Sequence, residues 1–375
     1  MQMERRLIRD IIWVLLSGSL NKALNQARLK TLKNCKMKIV YAVLLLLFSV
    51  QLSAQEAIQV KKIWDKANHN SFPDLFKYKK YYYITFREGT NHVGNENDGT
   101  VRVMRSKNMK DWQTVNIFEL NGVDVREARL SEMPDGRLLV TLAAGVWKDN
   151  QYTFLKPYVS FSDKKGENFS PLELAEVDPA IKPEIDWIWR VTWHKGVGYG
   201  ILYQSFPGHR GGEWMAHLVK TTDGKKYERV VQLDVKGKPN ECTIRFDKDG
   251  KMYVMVRREG DDKMGYLGVS NFPYKEWNYN TLSWMLGGPN FLFLNDGELI
   301  MGSRFHEDKK ARTAIFLTDL QGRVKNKIIL PSGGDNSYPG LLVQKKTLWV
   351  VYYSSHEGKS AIYTAQVPLS EFRKN

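Results

Sequence analysis

Three arginines in this 375-residue chain end apolar runs in the same way: Arg87 in ITFR, Arg257 in MVRR and Arg304 in GSR. Guanidinium groups brought to one place by separate segments repel one another unless an anion sits among them. Arginine grips a carboxylate through two parallel N–H···O bonds, so a carboxylate-bearing ligand is the chemistry these three residues suit. Other reactive side chains stand where similar runs begin, among them Asp74, Glu127, Arg129, Arg190, Asn240, Glu241 and Asn290. Tyr338 lies in GDNSYPG, a turn-rich stretch, whereas core tyrosines are expected inside strands such as Tyr81 to Tyr83; a buried structural tyrosine is the competing reading. Asp98 sits between Asn97 and Gly99, the composition of a simple turn.

For these groups to meet, the chain must carry the ends of many short strands to one face. Six strand-turn-strand units begin alike, at Asp74, Ala128, Arg190, Glu241, Asn290 and Gly340, spaced 54, 62, 51, 49 and 50 residues apart. Each is an alternating strand, a tight turn that often holds Asp-Gly, and a second apolar strand. A weaker hairpin follows each, as over 215–233 and 312–330. A hairpin unit recurring at about 50 residues is the mark of propeller blades. The sequence therefore predicts an all-β, six-bladed β-propeller over residues 55–375, with five or seven blades or a β-sandwich as the competing folds. The segment 57–63 is a strand candidate that would complete the last blade. In such a ring the first strand of each blade lines the channel and the second runs back. Residues before strand one and after strand two then share a face, which gathers the strand-start residues, Trp189 and Tyr338 with Arg87, Arg257, Arg304 and His356.

A hydrophobic content of 42%, with 11 Trp, 18 Tyr and 16 Phe, excludes a disordered chain. The net charge of +15 divides into +7 over residues 1–54 and a moderate +8 beyond. No stacking-plus-basic motif accompanies the charge, so no nucleic-acid partner is expected. Met37-Lys38, the apolar run 39–50 and a small-residue exit at Ala54 have the order of a secretory signal peptide. The run is short for a membrane span. Residues 1–54 are thus expected to be a leader, with 1–36 an early start or a cytoplasmic extension. The protein is expected to be periplasmic or secreted, free of the membrane after cleavage, and monomeric. Cys242 would be the one cysteine left, a strand-packing residue without a disulfide partner. His69, His92, His194 and His356 do not fall in metal-ligand spacing, so no zinc site and no cofactor is expected; loop carboxylates and carbonyls that hold calcium have no fixed spacing, and calcium stays open. Trp187, Trp189 and Trp193 could stack on a sugar or pack between blades. Arg126, Arg129 and Arg190 could add anion contacts or pair with Glu127 and Asp186.

The order Arg87, Asp98, Glu241, Arg257, Arg304, Tyr338 resembles the order of functional residues in the sialidase superfamily, over nearly the whole chain beyond the leader. The blocks FREG (86–89), WRVTWHKG (189–196), GGPN (287–290), SGGDNSYPG (332–340) and YYSSHEGK (352–359) also resemble a group of exported sialidase-like propellers. The resemblance implies that Arg87, Arg257 and Arg304 hold a substrate carboxylate, that Tyr338 is the nucleophile, and that Glu241 is its partner. It implies an aspartic acid as acid/base, Asp98 or its rival Asp74, and leaves Arg190 and Asn290 as further substrate-binding candidates. Tyrosine suits an acidic sugar, because a carboxylate nucleophile would be repelled by the carboxylate at the reacting carbon. A phenol avoids that clash, and a nearby Glu can take its proton. The chain departs from the family pattern where Arg87 is followed by Glu88-Gly89 rather than Ile-Pro. Its Asp-box repeats survive only in degraded form, over 162–169 and 221–227, and those boxes stabilise turns. The expected function is a retaining exo-glycosidase, a glycoside hydrolase that releases a terminal α-linked sialic acid or related acidic sugar from glycans. A uronic-acid-specific glycosidase or lyase, or a non-catalytic glycan-binding propeller, are the alternatives.

Overall fold

The computed structural model describes residues 58–374 except 206–211, 213, 295 and 296, together with Trp13, Ser17, Gly18 and Lys22. The chain divides into two compact units, Met1–Ala57 and Ile58–Asn375. The expected signal peptide, 37–54, lies outside the described residues.

Period-two alternation and Gly- or Asp-containing turns give the second unit six sheets arranged as a six-bladed β-propeller. The inner strands are His69–Tyr78, Asp124–Glu132, Ile185–Ile188 with Thr192–His194, Pro239–Phe246, Asn290–Phe293 and Asn336–Gln344. Every unit start expected from the sequence falls on or beside one of them. The expected closing strand is also present: Gln59–Trp64 pairs antiparallel with Ala361–Pro368, so the sixth blade is built from both ends of the ring. Asn70 and Ser360 fasten this seam, with Asn70 Nδ2 donating to Ser360 O at 2.7 Å and Ser360 Oγ to Asn70 O at 2.6 Å. Apolar faces of adjacent blades interlock; Val101 and Val103 of the first blade pack with Val125, Leu138, Val140 and Leu142 of the second.

The degraded Asp boxes do stabilise turns. Asp163 Oδ1 accepts from the backbone of Lys165 and Glu167, and Asp223 Oδ1 from Lys225 and Lys226. Asn108 and Asp319 do the same in two other blades, without a readable box in the sequence.

The feature that aims the site is a bulge repeated at one register of four inner strands. It falls between Ser71 and Asp74, Arg126 and Arg129, Pro239 and Cys242, and Ser337 and Gly340. Two residues there face one on the next strand, which bends the strand and redirects a side chain. Phe72, Glu127 and Tyr338 occupy the same bulge position with φ of 55°, 59° and 55°. A left-handed backbone costs a non-glycine residue about 1–3 kcal/mol and persists only where flanking pairing enforces it.

Candidate active site

Tyr338, Glu241 and Arg257 come from the sixth and fourth blades and meet directly. The Tyr338 hydroxyl donates to Glu241 Oε1. Arg257 Nη1 donates to the same oxygen at 2.6 Å and stands 3.3 Å from the Tyr338 hydroxyl. Glu241 Oε2 accepts from the Gly288 backbone at 2.7 Å. The bulge sets this up, because Asn240 and Glu241 together face Arg257 across the ladder. Gly288 is required twice over: its φ is +61°, and a Cβ there would lie 2.6 Å from Tyr338 Cδ2.

Burial pushes the Glu241 carboxyl up, but the charge of Arg257 and hydrogen bonds from Tyr338, Arg257 and Gly288 hold it below its usual value. Burial, and then the charge of Glu241, raises the Tyr338 phenol well above 10. The pair therefore rests as neutral phenol and ionised carboxylate, with a proton acceptor already in place for the tyrosine. Phe72, Trp189 and Tyr353 surround the Tyr338 ring at centroid distances of 4.9, 5.8 and 5.9 Å.

Glu241 and Arg257 line a cavity of about 820 Å³, with Lys238, Lys263 and Glu259 adding charge. Trp147, Tyr152, Trp187, Tyr203 and Trp214 form its aromatic wall, with Trp187 stacked on Tyr203 at 19°. Trp187 thus lines the cavity and also packs in the core, whereas Trp193 is bonded to Ser131 of the neighbouring blade. Arg304 approaches the Tyr338 ring from the fifth blade, its guanidinium carbon 6.0 Å from the centroid. It donates to Asn336 O at 2.8 and 3.1 Å, and its side chain stays 18% exposed.

Other residues singled out from the sequence have different settings. Arg87 is 0% exposed and bonded to Asp124 at 2.7 Å and to Asn91 O at 2.9 Å, so it is not open to a ligand as the arginine-triad reading requires. Asp74 is also fully buried, held by Arg190 through both oxygens at 2.8 and 2.9 Å and by the Leu130 amide. Asp74, expected as a candidate acid, and Arg190, expected as a substrate-binding candidate, are thus paired with each other. Asn290 is a framework residue too, joining Arg245 at 3.0 Å to Pro339 O at 3.1 Å. Asp98 is exposed and caps its own loop, accepting from Thr90 N at 3.1 Å and Thr90 Oγ1 at 2.6 Å. Cys242 is buried with its thiol on Asn240 O, the packing role expected.

Sequence reading missed two groups. Asp124 is the buried partner of both Arg87 and Arg126. Asp335 Oδ2 takes His69 Nε2 at 2.9 Å and His92 Nδ1 at 2.6 Å, while Oδ1 accepts from Tyr353 at 2.7 Å. The two histidines and the aspartate place ligand-capable atoms within 4.8 Å of one another, which their spacing in the sequence could not show. They already bond to each other across the seam of the ring, and Arg304 stands 3.7 Å from the same carboxylate. Glu127, read from the sequence as a strand-start residue and a possible arginine partner, is buried between Arg126 and Arg129 yet bonded to neither.

No family model matches the chain, and no curated protein matches it by sequence. Its fold is similar to that of solved structures at low identity. A protein of unknown function from Dyadobacter fermentans superposes with a TM-score of 0.71 at 17% identity, covering 83% of this chain and 99% of that one. A Trypanosoma rangeli sialidase in complex with sialic acid gives 0.61 at 11% identity, covering 84% of this chain and 57% of the sialidase, so the likeness spans little more than half of that protein. The phage phi92 endosialidase gives 0.59 at 11% identity, with 83% and 69% covered. At these identities the likeness shows the six-bladed, sialidase-like propeller fold and nothing further.

Proposed function

We propose that this protein is a glycoside hydrolase that releases a terminal sialic acid, or a closely related acidic sugar, from glycans. The observation that carries the reading is the Tyr338 hydroxyl bonded to a Glu241 carboxylate that Arg257 and the Gly288 amide hold in place. A phenol with its proton acceptor attached is an activated nucleophile of the kind that suits a sugar bearing its own carboxylate. Arg257 and Arg304 supply positive charge beside Tyr338 for that carboxylate. The aromatic wall of the cavity offers apolar faces to a sugar ring. The fold likeness to a sialidase that binds sialic acid is consistent with this ligand class. The basic-apolar order of 37–54 supports export, and an exported enzyme would meet glycans.

The test is to incubate residues 55–375 with sialylated glycans and quantify free nonulosonic acid, with Tyr338→Phe in parallel. Release is expected from the wild type, with the variant slower by about a thousandfold or more. An unsaturated, ultraviolet-absorbing product would instead identify a lyase. Saturable binding without turnover would identify a lectin.

A further inference from the structure

We infer that Glu127 is the general acid of this site, the group that protonates the departing glycosidic oxygen; the inference rests on the hydrolase reading above. Both aspartates expected in that role are bonded to other groups. Asp74 is sealed by Arg190, and Asp98 is exposed on a loop and tied to Thr90.

Glu127 differs from both: it is unpaired, and it lies in the electrostatic field of Glu241, Arg257 and Tyr338. It occupies on the second blade the same bulge position that Tyr338 occupies on the sixth, with nearly the same left-handed φ. One repeated backbone device therefore turns a nucleophile and a carboxyl group out of register on different blades of one ring. The residue is 4% exposed, and its Oε2 is buried without a hydrogen-bond partner. A buried carboxylate would be expected to pair with an adjacent arginine. Both neighbours donate to other groups, although Arg129 Nε has no partner of its own. Arg126 is spent on Asp124 and on His92 O at 2.8 Å, and Arg129 on the carbonyls of Phe72 and Pro73 at 3.1 Å each. An unpaired carboxyl in such a place is stable as the neutral acid. Burial, followed by the charge of Glu241, accordingly lifts Glu127 to about 8, against the pull of Arg129, Arg126 and Arg257. Glu241 is held ionised in the same field. Two carboxyls whose surroundings drive their proton affinities apart are an acid and a base at one pH.

The steps balance. Tyr338 Oη forms a bond to the anomeric carbon as its proton passes to Glu241. The carbon–oxygen bond to the leaving group breaks, and that oxygen keeps the electron pair and takes the Glu127 proton. Water then attacks the same carbon and gives a proton to the Glu127 carboxylate. The Tyr338–carbon bond breaks with its electron pair on Oη, which regains the proton from Glu241.

The role is tested by comparing two leaving groups. Sialyllactose departs as an alkoxide and needs a proton, whereas 4-nitrophenyl sialoside departs as a stable phenolate and does not. Glu127→Gln is expected to lower kcat/KM on sialyllactose by about 10²–10⁴-fold and on the aryl sialoside by less than about tenfold. Wild-type kcat/KM on sialyllactose is expected to fall as pH rises through about 8, the value expected for Glu127, while the aryl substrate keeps its rate. That wild-type profile decides the matter alone if the variant does not fold. Equal losses on both substrates, or alkaline profiles that coincide, would overturn the assignment and leave the hydrolase reading standing. A wild type inactive on both overturns the hydrolase reading, and the acid role with it.

Discussion

Arg87 and Arg304 end the second strands of the first and fifth blades at equivalent places in the repeat, yet their settings are opposite. Arg87 meets a buried acid from the next blade, Asp124, and is closed in by glycines. A Cβ at Gly89 would lie 2.7 Å from its Nη2, and one at Gly99 2.6 Å from its Nε. Arg304 meets a backbone carbonyl, keeps part of its guanidinium exposed and borders Tyr338. The repeat fixes where each arginine begins, and the neighbouring blade decides what it does. A buried carboxylate turns one into a rivet between blades, while the other, bonded to a carbonyl with the partly exposed Asp335 carboxylate 3.7 Å away, keeps part of its guanidinium open.

Substitution should separate these two roles. Arg87→Met leaves Asp124 buried with Arg126 as its remaining cation, and is expected to destabilise the ring by about 3–5 kcal/mol. Denaturant unfolding measures this, and KM of the protein that stays folded should be unchanged. Arg304→Met should do the reverse, raising KM roughly tenfold or more for an acidic sugar with a stability loss near 1 kcal/mol. A stable Arg87→Met variant with a raised KM would show that the first-blade arginine opens to substrate, and the contrast would collapse.

Gly288 provides a smaller but sharper probe, because it acts on the Tyr338 side alone. An added methyl must displace the Tyr338 ring or the turn that donates to Glu241. A shift near 1 Å in a reacting group costs about a hundredfold in rate. Gly288→Ala should therefore lower kcat by about that factor with KM little changed, whereas Gly89→Ala should act through stability. Steady-state kinetics and thermal unfolding on the two variants read the difference.

The ring was legible from sequence because hairpin alternation and turn composition are local signals, repeated six times. Tyr338, Glu241 and Arg257 were legible too, through the order of a known family's residues, although nothing local showed them touching. What remained hidden was pairing between blades. Arg87 reads as a ligand-binding arginine until Asp124, 37 residues on, is seen beside it. His69, His92 and Asp335 meet only because the ring closes. Asp74 looked like an acid on the open face because its strand start was visible and Arg190, 116 residues away, was not. The bulges were equally silent, since Phe72, Glu127 and Tyr338 share a backbone conformation but no residue type.

The gentlest test concerns stability and isolates Glu127 from the arginine pairs. Its carboxyl titrates near 4.5 when unfolded and is raised to about 8 when folded. Between those values the folded protein holds a proton that the unfolded chain has released, so this group's contribution is fully present below about 4.5 and is lost as pH rises through 8. Glu127→Gln has no such proton to lose. The variant should match the wild type near pH 5 and gain on it through pH 8, by about 4 kcal/mol, then level off. Taking the difference between the two unfolding curves at each pH removes the titration of Asp335 and the histidines, which both proteins share. A flat difference from pH 5 to 9 would mean that Glu127 is ionised throughout and paired after all. The second blade would then use its bulge as the first blade uses Arg87, to hold the ring together rather than to move a proton.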